Sequence, residues 1–237
     1  MTFYLIGTGM SAESITIEGV TAVRKCKKAF LENYTVDFPY EKKFLERKLN
    51  KKIVELSREK VESEDLIKES KKDNIALLVY GDALSATTHS ELILSCKKNK
   101  VPYVIIHNAS VLTSVAECGL QLYKFGKTAS MPTWKDNWKP DSFVEIIKQN
   151  QSIDAHTLLL VDIGLKIDKA KEQLAEALKN HKMKIGKIIA CSELGVGDKA
   201  KIEYSELDEI SHKIRSPYCF VIPGKMHFLE EEFLENL

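Results

Sequence analysis

The feature that most constrains this chain is a repeated unit. A short apolar run stops on small or polar residues and gives way to a stretch of helical periodicity. Phe3-Tyr4-Leu5-Ile6 stops on Gly7-Thr8-Gly9, and "NIALLVYG" (74–81) runs into Gly81-Asp82. "PYVIIHN" (102–108) ends on His107-Asn108-Ala109-Ser110, "HTLLLVDIG" (156–164) on Asp162-Ile163-Gly164, and "KIGKIIACSELG" (184–195) on Glu193-Leu194-Gly195. Between them, Val20, Val23, Cys26 and Phe30 recur at helical spacing. Helices are also predicted over 86–99, 111–122, 142–150 and 168–182, the last with Ala170, Leu174, Ala177 and Leu178 on one face. "AFLENY" (29–34), "KKIVELS" (51–57) and "YCFVIPG" (218–224) read as further strands, residues 200–214 as mixed, and a short acidic helix ends the sequence. Alternating strands and helices predict an α/β architecture. In open α/β sheets ligands lie beyond the carboxyl ends of the strands, so five such ends predict a sizeable cofactor along a sheet edge. Glycine there lets a ligand approach the backbone.

The rhythm breaks once, at "KTASMPTWKDNWKPDSF" (127–143), which holds both tryptophans and two of the six prolines. It reads as a strand entering a long loop and places a domain boundary near residue 125, giving domains 1–125 and 126–237. The 237 residues are 44% hydrophobic, enough for buried cores. Lys plus Arg is 35 against 34 Asp plus Glu, so the broad basic field of a nucleic-acid binder is missing. Five dispersed cysteines without a C-x-x-C argue against zinc and redox motifs, so no metal is expected. No signal-peptide pattern opens the sequence and no apolar run approaches the roughly 18–20 residues that span a bilayer. These features predict a cytoplasmic protein with reduced thiols and no membrane partner.

The string Gly7-Thr8-Gly9-Met10-Ser11-Ala12 is a G-x-G-x-x-A after a strand, and Glu32 stands where a ribose-binding acid would be in a dinucleotide fold. Helical periodicity, however, starts only at Thr16 or Ile17. That is too late for a pyrophosphate to use the free N–H groups of the helix N-terminus. Asp82 admits two readings, a helix cap or an acceptor for a ligand's ammonium or hydroxyls. His89, in "ATTH", reads as structural.

Taken together, "FYLIGTGM…ITIEGVTAVRKC", "YGDALSATTHSEL", "VIIHNASVLTSV", "GLQLYKFGKTASMP", "NWKPDSF", "HTLLLVDI" and "FVIPGKMHFLEEEFL" resemble the diphthine synthases over nearly the whole length. These are S-adenosylmethionine-dependent methyltransferases of the tetrapyrrole-methylase fold. The resemblance decides against NAD. It implies two α/β domains with the cofactor in the cleft between them, a homodimer, and methylation of the amino group of a modified histidine on translation elongation factor 2. It carries cofactor contacts onto Met10, Asp82, Ser85, Ser110, Val111, Val161, Gly195 and, through backbone, Cys219. The family usually has Pro at position 83, an aliphatic residue at 85 and Leu at 10, where this chain has Ala83, Ser85 and Met10. Methylation of a tetrapyrrole or other small molecule, and a catalytically silent binding module, are the competing readings.

Methyl transfer from a sulfonium asks mainly for placement of a neutral amine. No catalytic acid or base is assigned. His107, Asp162 and His227 are candidate proton acceptors or substrate contacts, with packing or strand-end roles expected. Trp134 and Trp138, with Lys124, Lys127, Lys135 and Lys139 around them, are candidate contacts for a protein substrate. The apolar stripe Val111, Leu112, Val115, Leu120 and Leu122 is a candidate dimer surface. The chain lacks a long insertion associated with eukaryotic, ester-forming relatives. Its compact length therefore favours amine trimethylation to diphthine over the four methylations of a diphthine methyl ester synthase.

Overall fold

The structure, a computed structural model, describes residues 1–237. They form two compact units, Met1–Leu112 and Thr113–Leu237. The division falls ahead of residue 125, because residues 113–125 pack with the second unit.

The first unit runs β1 (Phe3–Gly7), α1 (Ile17–Lys25), β2 (Lys28–Glu32), α2 (Lys42–Leu49), β3 (Ile53–Leu56), α3 (Arg58–Glu62), α4 (Asp65–Ser70), β4 (Ile75–Val79), α5 (Ser90–Lys98) and β5 (Tyr103–Ile106). Its sheet is wholly parallel, ordered β3-β2-β4-β1-β5. Side-chain alternation separates two cores. Phe3, Leu5, Ile75, Leu77 and Val79 face Val61, Leu66, Ile67, Leu92 and Cys96, from α3, α4 and α5. Ile6, Leu31, Ala76 and Leu78 face Ala22, Val23, Leu45 and Leu49, from α1 and α2. Strands buried on both faces explain the near-continuous apolar runs. The chain leaves β1 toward β2, and leaves β4 toward β5 on the other side. The carboxyl ends of β1 and β4 therefore flank the switch point of the sheet, where ligands bind in such folds.

The second unit begins within α6 (Val111–Ser114). It continues through the 3-10 turns Val115–Cys118 and Leu122–Lys124, then β6 (Ala129–Met131), α7 (Phe143–Gln151), β7 (Thr157–Val161), α8 (Ile167–Asn180), β8 (Ile188–Ser192), β9 (Lys201–Ser205), β10 (Tyr218–Ile222) and α9 (Phe228–Glu235). Its mixed sheet is ordered β6-β7-β10-β8-β9, with only β6 and β7 parallel. One face carries Leu159, Ala190, Phe220 and Ile222 against Val144 and Ile147 of α7 and the predicted stripe Ala170, Leu174, Ala177 and Leu178 of α8. Register puts Leu158, Ile189, Cys191, Cys219 and Val221 on the opposite face, also buried.

The helix expected over 111–122 is instead one α-helical turn, two 3-10 turns and a break at Gly119. Gly119 is left-handed at φ 85°, and a Cβ there would stand 2.0 Å from the Phe233 ring, so only glycine fits. Val115 and Leu120 are buried, which leaves Leu112 and Leu122 as the exposed part of the proposed dimer stripe. The start of α5 moves from 86 to Ser90 because residues 83–89 are used in turns. Lys201–Ser205, read as mixed, is an edge strand antiparallel to β8.

Candidate active site

Three loops meet at the carboxyl edge of the parallel sheet. The β1 and β4 loops are tied by paired backbone bonds, Gly9 N–H to Gly81 carbonyl and Gly81 N–H to Gly9 carbonyl, both 3.0 Å. The β5 loop joins them through Asn108, whose Nδ2 donates to the carbonyls of Gly7 (3.1 Å) and Ser14 (3.0 Å). Two glycines serve this packing rather than ligand approach. A Cβ on Gly7 would lie 2.6 Å from the Gly81 carbonyl oxygen, and one on Gly9 (φ 75°) 2.4 Å from Ser14 Cβ.

Asp82 is the hub. Its Oδ1 accepts from Leu84 N–H (3.0 Å) and Ser85 Oγ–H (3.2 Å). Its Oδ2 accepts from Asn108 N–H (3.0 Å) and His107 Nδ1–H (2.7 Å). Through these four bonds Asp82 fixes the β4 and β5 loops to one another. It does not cap α5, which starts eight positions later. Burial pushes its pKa up, but the Leu84 and Asn108 amides and His107 outweigh that and hold it below the ordinary carboxylate value. Ala83, standing where the family usually has Pro, is fully buried, and its carbonyl accepts from Thr87 Oγ1 and contacts His89 Nδ1, both at 3.2 Å.

The other first-unit candidates border the same cluster. Met10 is buried and its carbonyl accepts from the Tyr80 hydroxyl (3.0 Å). Ser110 is buried beside Gly81, its Oγ accepting from Leu112 N–H (3.3 Å), and half-buried Val111 follows it. His89 is structural, with Nε2 3.3 Å from the Tyr34 hydroxyl. Glu32 is buried and bound by the Tyr34 and Thr35 amides and the Thr35 hydroxyl, which leaves it no ribose-binding role. α1 begins at Ile17 with Thr16 as its cap (3.0 Å to Gly19 N–H), as the late helical periodicity predicts.

In the second unit, β7 and β8 flank β10 with the same polarity, so their ends share one sheet edge. Val161 ends β7 and packs on the helix-covered core, whereas Cys219 faces the opposite side of the sheet with Cys191. Gly195, at φ 75°, donates its N–H to Glu117 Oε1 (2.9 Å). Asp162 accepts from Thr133 and Ile163 amides, and His227 caps α9, so both hold strand and helix ends. Trp134 packs on the core with its indole N–H on the Pro140 carbonyl (2.9 Å), while Trp138 is exposed. No group of three His, Cys, Asp or Glu side chains is arranged to hold a metal, and no helix is long and apolar enough to cross a membrane.

A parallel sheet with its loops gathered at the switch point, joined in one chain to a second α/β unit, defines the class. Residues 2–210 match the family model of the tetrapyrrole (corrin/porphyrin) methylases. The chain is 45% identical over 177 residues to a diphthine methyl ester synthase of Candida glabrata, covering 73% of this chain and 58% of that protein. It is 39% identical over 203 residues to the Mus musculus protein of the same name, covering 76% and 72%. A crystal structure of diphthine synthase superposes with a TM-score of 0.90 at 31% identity, covering 100% of this chain and 95% of that one. The chain belongs to the tetrapyrrole methylases and, within them, to the diphthine synthases. It spans 58–61% of the length of the first curated relatives it matches.

Proposed function

We propose that the chain is an S-adenosylmethionine-dependent methyltransferase that methylates the modified histidine of translation elongation factor 2 in diphthamide biosynthesis. One observation carries this reading. The motifs "GTGM", "GDALSATTH" and "HNAS", in a chain of this family, form one hydrogen-bonded cluster at the switch point of the sheet. The Ser85 and Ser110 hydroxyls, the Met10 backbone and apolar Val111 are the kinds of group that a nucleoside bearing an amino-acid tail needs. When bound, S-adenosylmethionine supplies an electrophilic methyl on a cationic sulfur. Met10, Asp82, Ser85, Ser110 and Val111 would hold it in the first unit, where Asp82 also fixes the loops. For the second unit the proposed contacts are Val161, Gly195 and the backbone of Cys219. The enzyme is proposed to be a cytoplasmic homodimer.

Amine trimethylation is common to both product readings. The two are a stop at diphthine and the addition of the fourth, ester-forming methyl that the names of the curated relatives favour. An amine remains nucleophilic through two methylations and becomes a fixed cation at the third, which ends that series. Isothermal titration tests the cofactor assignment. S-adenosylhomocysteine should bind and NAD should not, and the reverse pattern would overturn it.

A further inference from the structure

His107 is the one imidazole at the loop cluster that the fold does not consume. Its side chain is 66% exposed, while its Nδ1 lies 2.7 Å from the Oδ2 of a nearly buried Asp82. An ionised carboxylate can only accept, so the proton sits on Nδ1 and the basic lone pair of Nε2 is left facing outward. The acid behind it is itself fixed by the Leu84 and Asn108 amides and the Ser85 hydroxyl. An aimed imidazole backed by an immobilised carboxylate is the arrangement that orients a general base and stabilises the imidazolium it becomes.

We propose that His107 is the proton acceptor for the substrate amine, an inference that rests on the methyltransferase reading above. An alkylammonium is mostly protonated near neutral pH and has no lone pair with which to attack. In each round an N–H bond of the ammonium breaks and its proton moves to His107 Nε2, leaving the electron pair on nitrogen. That pair forms the new N–C bond as the methyl's C–S bond breaks, with the C–S pair staying on sulfur. The exposed imidazolium then passes the proton to water. Asp82 remains ionised throughout and acts as a positioning residue.

The test uses the whole protein, S-adenosylmethionine and elongation factor 2 carrying the unmethylated histidine modification. His107→Ala should lose about 100-fold or more in the rate of methyl transfer. It should keep its S-adenosylhomocysteine affinity, which shows that the loops remain folded, and added imidazole should restore part of the rate. A variant as fast as the wild type, or a slow one that imidazole does not rescue, would overturn the proposal. Nitrogen NMR of His107 in the unaltered protein gives a second readout that does not depend on activity. A proton on Nδ1 is expected, and one on Nε2 would overturn it. A wild-type protein that transfers no methyl to elongation factor 2 would instead overturn the functional reading, and the inference with it.

Discussion

Asp82 is a residue whose presence the sequence displays and whose partners only the fold supplies. A carboxylate at the mouth of an all-apolar strand is visible in the sequence, because "IALLVYGD" changes character in two positions. Its partners are not visible. His107 and Asn108 lie 25 and 26 residues on, and they reach Asp82 only because the sheet order sets β4 and β5 on either side of β1. For the same reason the glycines of "GTG" were legible as a special loop, but not as packing positions for Gly81 and Ser14. Asp82→Ala removes the acceptor for the Leu84 and Asn108 amides and for His107. It should destabilise the protein by on the order of 2–3 kcal/mol, since an orphaned buried donor costs its desolvation. Urea denaturation measures this, and unchanged stability would mean the hub does not hold the loops. S-adenosylhomocysteine binding should weaken along with it.

At the scale of elements, the sequence is most legible where burial imposes a period. The strands of the parallel sheet and the face of α8 follow directly from their apolar patterns. The misread segments are those where local chemistry overrides the period. Gly119 with Phe233 breaks the 111–122 helix, the Asp82 loop delays α5, and β9 is a half-polar edge strand. The anchoring of α9 was equally hidden. Glu230 is buried and accepts from the Gln121 amide (2.8 Å), the His227 amide (2.7 Å), Lys124 Nζ and His156 Nε2 (3.2 Å). Burial pushes its pKa up, but those donors prevail and hold it at about 2, against an ordinary 4.5. A carboxyl with a lowered folded pKa contributes stability that is complete above about 4.5 and lost as pH falls from there toward 2. His156 acts higher on the scale. Burial lowers its pKa from 6.5 against the opposing pull of Glu230, so below about 6.5 the unfolded chain takes up the proton first and the fold weakens. Glu230→Gln should cost on the order of 2 kcal/mol at pH 7, less than a fully buried pair because Lys124 is partly exposed. It should also flatten the stability loss below pH 4.5. Denaturation of both proteins at pH 7 and pH 4 checks this, and an equal difference at the two pH values would contradict it.

On the scale of the whole molecule, each unit has its own sheet and its own buried clusters, which is why strand and helix patterns alternate without a long low-complexity linker. In the sequence the Trp- and Pro-rich loop is the more conspicuous break, whereas residues 113–125 belong to the second unit, with Val115, Cys118 and Leu120 buried. The proposed homodimer should appear in light scattering at micromolar concentration as twice the 26.8 kDa chain mass, and a monomer would refute it. The proposed reaction is methyl transfer to the modified histidine of elongation factor 2. Its most direct test is mass spectrometry of elongation factor 2, carrying the unmethylated histidine modification, after incubation with this protein and S-adenosylmethionine. Three methyls on the modified histidine that survive mild alkali are predicted, and a further alkali-labile methyl would assign the ester-forming reaction on the same substrate. A factor that gains no methyl, while the protein methylates a small molecule or nothing, would contradict the account.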